Sequence, residues 1–400
     1  MDPFVFGYVS SIEILDAVGF TAERSLSPQG KRPMEMDGLL VWNDLAAPHS
    51  VRDKTIPHPI PHLPLPVHAV VAVGAKTRAT AAMVPHAWTC FNPIGDLVRM
   101  PGGDRPTYVC PVELALVQLA SQGGRANIAS YANQVTGTYR IIRPAAIEAY
   151  QGIPGVHVEL YPKGSTPETC LSATAYNVPP LTTVERIRAY TDAFPGARGV
   201  RQLRRALPLL CDGLASPLEE RIYVLAFCSR RMGSLGLPKP LVNDPMAPGD
   251  KARRFLRQDH ITPDFRWTER GVVLEALGWR YHGRPGDIVD TSLREKAYRA
   301  MGIACITLTD AEVRNPNHFE GAMAELAGYL GTELPPETKA FRKQRARLRS
   351  GVLGYSKPKR PASVEDAPAP VTDQGYLDQL YSYADASVKP EDKDAPGDGC

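Results

Sequence analysis

A mixed α/β fold is the class this sequence predicts for residues 216–332. Three observations predict it. Ser216-Pro217-Leu218-Glu219 is a helix-start signal, two strand-like runs (261–267 and 271–277) flank a short turn, and a helix–strand–helix pattern with Gly302 as its break follows them. The order is helix, three strands, helix, strand, helix.

Each element has a local reason. Ser216 suits an N-cap, Pro217 suits the first helical position, and Glu219 sits three residues after the serine, as in a capping box. This helix runs through Ile222, Leu225 and Ala226 to about Arg231, and Gly233 stops it. Residues 237–242 read as a first strand that Pro238 and Pro240 confine to an edge. Residues 245–258, polar and carrying Arg253, Arg254 and Arg257, read as a hairpin or loop. The runs 261–267 and 271–277 read as adjacent strands, 287–301 as a helix, 303–308 as a strand, and Asp310 as the cap of a last helix reaching Leu330.

Upstream, residues 1–66 mix short apolar runs with proline-dense loops of unclear fold, and 58–66 read as an extended connector because successive prolines remove donors. Residues 67–215 form a smaller α/β region, with a strand at 67–73 and helices at 110–120, 128–135, 183–193 and 200–210. Residues 333–350 end in the basic run 341–349. Residues 351–400 are proline-rich and acidic, the composition of a disordered tail.

A length of 400 residues implies two or three domains, and 43% hydrophobic with 22% charged residues is an ordinary globular composition. The net charge of +3 hides an asymmetry. Residues 361–400 hold nine acids and two bases, a net of −7, which leaves +10 for residues 1–360. That balance fits a polyanionic partner such as DNA. Seven scattered cysteines without a C-x-x-C argue against a disulfide scaffold and fit a reducing compartment. No apolar run reaches membrane-span length, and the start lacks a basic, then apolar, signal pattern, so the expectation is a cytoplasmic protein without a membrane partner.

Phosphodiester hydrolysis calls for a hard cation held by oxygen ligands. Asp264 follows Pro263 on one strand, and Glu275 follows an apolar Val272-Val273-Leu274 on the next. A carboxylate in so apolar a strand needs a partner, since uncompensated burial costs several kcal/mol, on the order of the penalty for any buried ion. A metal would explain both residues.

The order Ser216-Pro-x-Glu, Pro263-Asp-Phe, Val273-Leu-Glu-x-x-Gly278, His282, Arg294, Gly302 resembles the PD-(D/E)xK restriction-endonuclease-like nucleases, in a bacterial branch akin to the very-short-patch-repair endonucleases. The resemblance covers roughly residues 216–330. It implies an αβββαβ core, Mg²⁺ or Mn²⁺ on Asp264 and Glu275, an acidic group from the first helix (Glu219 or Glu220), and His282 and Arg294 beside the site. Arg253, Arg254, Arg257 and Arg280 would then contact DNA. One position departs from the pattern: Leu277 stands where that branch carries an acid and other members carry lysine, and leucine neither binds a cation nor polarises water. Arg280, His282 or Lys296 would have to fill the gap.

Residues 67–215 are more loosely similar to the non-nuclease region of AbiE-type abortive-infection antitoxins, through Val67-His-Ala-Val-Val-Ala-Val, Lys76-Thr-Arg78, His86 and Pro111-Val-Glu-Leu-Ala. Two functions follow as expectations: a metal-dependent DNA endonuclease of a bacterial defence or repair system, or a degenerate nuclease fold acting as a DNA-binding, antitoxin-like regulator. Plainer roles stand beside the sharp ones. Glu219 serves equally as a capping-box partner, Trp267 and Trp279 as packing residues, and the 341–349 run as a solvated helix end.

Overall fold

The computed structural model describes residues 4–17, 67–71, 79, 83–87, 97–99, 107–122, 125–161, 164–256, 258–278 and 285–354. The described chain opens with β1 (Phe4–Phe6), α1 (Tyr8–Ala17), β2 (Val67–Val71), β3 (Met83–Ala87), β4 (Val98–Arg99), β5 (Thr107–Val109), α2 (Val112–Ala120) and α3 (Arg125–Thr136). The strands form one five-stranded sheet in the order β3-β2-β1-β5-β4.

β1 pairs with both β2 and β5, so the start of the chain belongs to the same sheet as residues 67–109, across the boundary expected at residue 66. Side chains of α1 also tie it to the elements after residue 138. Arg140 Nε and Nη2 donate to Asp16 at 2.9 and 3.1 Å, Tyr150 donates to Asp16 at 2.6 Å, and Arg143 pairs with Glu13 at 2.7 Å.

Next come β6 (Tyr139–Ile142), α4 (Ile147–Gln151), β7 (His157–Tyr161), β8 (Ser172–Tyr176), α5 (Val184–Ala193) and α6 (Val200–Ala206). β6, β8 and β7 make a small antiparallel sheet. The helices expected in this region form close to their expected limits, with the hydroxyl of Thr183 capping α5.

The remaining elements are α7 (Pro217–Ala226), β9 (Leu241–Val242), α8 (Asp250–Arg253), β10 (Phe265–Trp267), β11 (Val272–Leu277), α9 (Pro285–Ala300), β12 (Ala304–Thr309), α10 (Asp310–Arg314), α11 (Pro316–Leu330) and α12 (Lys339–Leu353). The sheet order is β12-β11-β10-β9, antiparallel from β9 to β11 and parallel between β11 and β12, with α9 as the crossover. A parallel pair needs such a long connection, whereas the antiparallel pair β10–β11 is joined by the turn 268–271.

Several elements differ from expectation. β9 keeps only two residues, because Pro238 and Pro240 cannot donate to a ladder. Residues 245–258, expected as a hairpin or loop, are closed by an antiparallel Met246↔Ile261 bridge and carry a short helix at 250–253. The last helix, expected to start at Asp310 and to resume around His318, is two helices, because Pro316 ends the first. Thr309 caps α10 through a capping box, and Asn315 caps α11. Residues 339–353 are a full helix, beyond the expected end at 350. Its Arg345 and Arg349 are buried against Phe319, with Arg345 paired to Glu320 at 2.7 Å. The acidic segment expected at 351–400 lies, after residue 354, outside the described residues.

Alternation decides the two faces of the last sheet. Phe265, Trp267, Val272, Leu274, Ala276, Ile306 and Leu308 enter the main core with α7, α11 and α12. Val273, on the opposite face, packs with Ala252, Ala297 and Tyr298 beneath α8 and α9. Period-two geometry puts Glu275 and Leu277 on that second face as well.

Candidate active site

The ladder ends at Phe265↔Leu274, and the next residues outward are Asp264, just before β10, and Glu275 of β11, whose charge acts on the Asp264 carboxyl. On the outer sides, Glu275 pairs in register with Thr307, and the Asn243 backbone N–H donates to the Asp264 carbonyl at 3.0 Å. Asn243 and Asp264, at the ends of β9 and β10, thus continue the row formed by Glu275 of β11 and Thr307 of β12.

Each central carboxylate is held through one oxygen. Asp264 Oδ2 accepts the Ala276 N–H at 2.6 Å. Glu275 Oε1 accepts from Arg294 Nη2 at 2.6 Å and from the Tyr298 hydroxyl at 2.5 Å. Asp264 Oδ1 and Glu275 Oε2 have no hydrogen-bond partner among the described residues.

Glu219 comes from the first turn of α7. Its N–H is capped by Ser216, and its Oε2 accepts from the Ala215 N–H at 2.8 Å and from Asn243 Nδ2 at 2.7 Å. The helix-start role and a place beside the site are therefore one geometry. Glu220 points elsewhere: Ser130 at 3.1 Å, Asn133 and Tyr139 donate to its buried carboxylate and tie α7 to α3 and β6.

The electrostatics reflect crowding of like charges. Burial, then the neighbouring charges of Glu275 and Glu219, push the Asp264 carboxyl well above the ordinary aspartate range. The Asp264 carboxyl sits deep among protein atoms although the residue keeps some exposed surface. Burial lifts Glu219 to about 7 against the opposing pull of its Ala215, Asn243 and Ser216 donors, and the Glu275 charge adds to the rise. Burial disfavours the charged form of Arg294, but the facing Glu275 carboxylate outweighs it, so the guanidinium is held more firmly charged.

A small cleft of about 10 Å³ lies beside Glu275 and Thr307, lined by Glu275, Leu277, Thr291, Arg294, Glu295, Tyr298, Cys305 and Thr307. Burial, then the Glu275 charge, push the Cys305 thiol up to about 12, so it is a neutral wall. Among the described residues, no three His, Cys, Asp or Glu side chains form a metal-holding group. The arrangement is two neighbouring carboxylates with Glu219 behind them, not a closed protein cage.

Glu219, Asp264, Glu275 and Arg294 come together; the other expected residues do not join them here. His282, Arg280 and Arg257 lie outside the described residues, as does Trp279. Lys296 is exposed and does not line the cleft beside Leu277. Arg253 and Arg254 are exposed on α8, their Nε atoms turned to the Pro248 and Lys251 carbonyls. Trp267 packs in the core, its indole N–H donating to the Pro238 carbonyl at 3.0 Å.

Sequence reasoning missed Tyr298, Asn243 and Glu295. For Tyr298 a signal existed: it lies four residues after Arg294, on the same helical face. Asn243 carries φ +47°, a left-handed conformation that asparagine tolerates better than most residues, and nothing in a strand-like sequence announces it. Further from this site, His68 and His86 share a 2.7 Å hydrogen bond beneath the stacked ring of Tyr8, a pairing that the only close Cys/His spacing, His86 and Cys90, did not point to.

Compared with known proteins, the chain matches no protein-family model, no curated protein and no solved structure.

Proposed function

We propose that the chain is a metal-dependent DNA endonuclease of the PD-(D/E)xK kind, with Asp264 and Glu275 holding Mg²⁺ or Mn²⁺. The carrying observation is the neighbouring pair Asp264–Glu275, each carboxylate pinned by one oxygen and each keeping its second oxygen unclaimed among the described residues. The order α7-β9-α8-β10-β11-α9-β12, which resembles αβββαβ with α8 inserted after the first strand, and an acid from the first helix beside the pair, support the same reading.

The donor set fits the ion. Mg²⁺ takes hard oxygen ligands, keeps several waters, and is commonly held by one or two carboxylates plus substrate phosphate. The want of a third protein ligand is ordinary for that cation and would be unusual for structural zinc. When bound, such a cation polarises a phosphodiester and lowers the pKa of water. The chain's own part is orientation. Tyr298 and the Ala276 N–H fix the two carboxylates, Asn243 holds Glu219, and β11 and α9 wall the cleft on the sheet side.

A second reading has its own observation. Leu277 lines the cleft where a functional group is expected, and Arg294 already gives Glu275 an internal counter-ion. Both features fit a degenerate nuclease fold that binds DNA as an antitoxin-like regulator without cutting it. Plasmid nicking with Mg²⁺ or Mn²⁺, against a chelator and the Asp264→Asn variant, separates them. The endonuclease reading expects metal-dependent nicking that Asp264→Asn abolishes; no nicking, or equal nicking by both proteins, defeats it.

A further inference from the structure

We infer that the open edge of the Arg294 guanidinium is an oxyanion subsite for one phosphodiester oxygen, supplying from α9 the cation that β11 lacks at Leu277. The inference rests on the metal-dependent reading above and adds the group that meets the substrate's phosphate.

One corner of the guanidinium is tethered and the rest is not. Nη2 makes all its described contacts: to Glu275 Oε1 at 2.6 Å, the Thr262 carbonyl at 2.8 Å and the Tyr298 hydroxyl oxygen at 3.3 Å. Nε and Nη1 have no partner among the described residues, and 28% of the side chain is exposed. Anchoring by a single nitrogen sets the plane of the fork, and two donors remain for an oxyanion, which a guanidinium recognises through a planar pair of N–H groups. Arg294 and Leu277 line the same cleft. Lys296, the other cation on this stretch of α9, is exposed and outside it.

The same cleft contains a condition on when this subsite works. Glu295 lines it beside Glu275, and the Asp264 carboxyl is near enough for its charge to act on Arg294 and Cys305. With three carboxyls gathered around Arg294 alone, the cleft offers a phosphate no surplus of positive charge. A divalent cation on Asp264 and Glu275 cancels the excess, and only then is the guanidinium edge attractive to an anion. Phosphate contact at Arg294 is therefore cation-dependent, which separates it from general attraction between DNA and a basic surface.

The test measures affinity of the full chain for a short mixed-sequence duplex in Ca²⁺, which fills hard-oxygen sites without demanding turnover, and again in chelator. Arg294→Ala should weaken binding about ten-fold in Ca²⁺, the scale of one charge-assisted hydrogen bond, and leave binding in chelator unchanged. Arg294→Lys, which keeps the charge beside Glu275 but loses the fork, should fall between. Leu277→Lys in the Arg294→Ala background should recover most of the Ca²⁺-dependent affinity. That variant also restores a counter-ion to Glu275, so it reports even where Arg294→Ala alone folds poorly. Equal loss with and without Ca²⁺, or no loss in Ca²⁺, overturns the inference. If the parent chain itself gains no affinity from Ca²⁺, the metal-dependent reading fails and takes this subsite with it.

Discussion

Asp264, just before β10, and Glu275 of β11 are neighbours at the end of their ladder, with Glu219 close enough for its charge to raise the Asp264 pKa. Like charges opposite one another in a ladder destabilise a sheet. Three carboxyls gathered with one arginine are an arrangement that folding alone would not favour, and such concessions cluster at functional sites.

That concession is measurable. Asp264→Asn removes one of the repelling charges and keeps a polar group for the Ala276 N–H. The variant should gain about 1 kcal/mol in chelator at neutral pH, seen as a rise in melting temperature of about 2–4 °C. A fall in melting temperature would mean the aspartate is there for packing.

Cation binding should depend on pH in a defined direction. The folded-state pKa values of Glu219, near 7, and of Asp264 lie above their unfolded values. Their contribution to stability is present below the ordinary carboxylate range and is lost as pH rises through the folded pKa. A divalent cation binds the ionised forms and must displace those protons. Its stabilisation of the fold, read as the melting-temperature gain on adding Mg²⁺, should grow steadily from about pH 5.5 to about pH 8. A gain independent of pH would place the ion elsewhere.

Glu220 should matter for the union of α7 with the upstream helices and not for cation binding. Its buried carboxyl, pushed up by burial, accepts from Tyr139, Asn133 and Ser130. Glu220→Leu would remove the acceptor those three side chains share and should cost about 2–4 kcal/mol, while Glu220→Gln should cost much less. Chemical unfolding of both variants checks the ranking, and the Mg²⁺-induced shift should survive in each.

The His68–His86 pair predicts a loss of stability in acid. Burial above all, with the partner ring adding at His68, lowers the two pKa values to about 3 and about 4. As pH falls below their ordinary value of 6.5, the unfolded chain takes up protons first. Each histidine then withdraws up to about 1 kcal/mol of stability per pH unit. The carboxyls above act in the opposite sense, so the comparison is between the parent and His68→Gln. The variant should lose less stability between about pH 7 and about pH 5, and parallel profiles would refute the assignment.

Where a local rule decides an element, it was legible in the sequence. Ser216-Pro217 announced α7, the apolar run after Gly271 announced β11, and Gly302 separated α9 from β12. Asp264 and Glu275 could be paired because two short strands and a turn leave little freedom of register. The contacts that complete the row are long-range and were not legible. Nothing near Tyr298 says that its hydroxyl meets Glu275, and nothing near Asn243 says that its amide meets Glu219. Pairing of β1 with β5 spans about a hundred residues, so the boundary expected at residue 66 had no local signal against it.

The inward turn of α12 changes what the body's surplus of +10 means for a distant polyanion. Arg345 and Arg349 sit under Phe319, and Arg140, Arg143, Arg221, Arg266, Arg294 and Arg314 each face a carboxylate. Such guanidinium groups act as internal cross-braces, and their fields close on nearby acids instead of reaching into solvent. On the proposed reading, the long-range pull on DNA comes from exposed arginines such as Arg188, Arg201, Arg205, Arg253 and Arg254. Counterion release, and with it the steepness of any salt dependence, should therefore track that outward-facing subset and be shallower than the tally of basic residues implies.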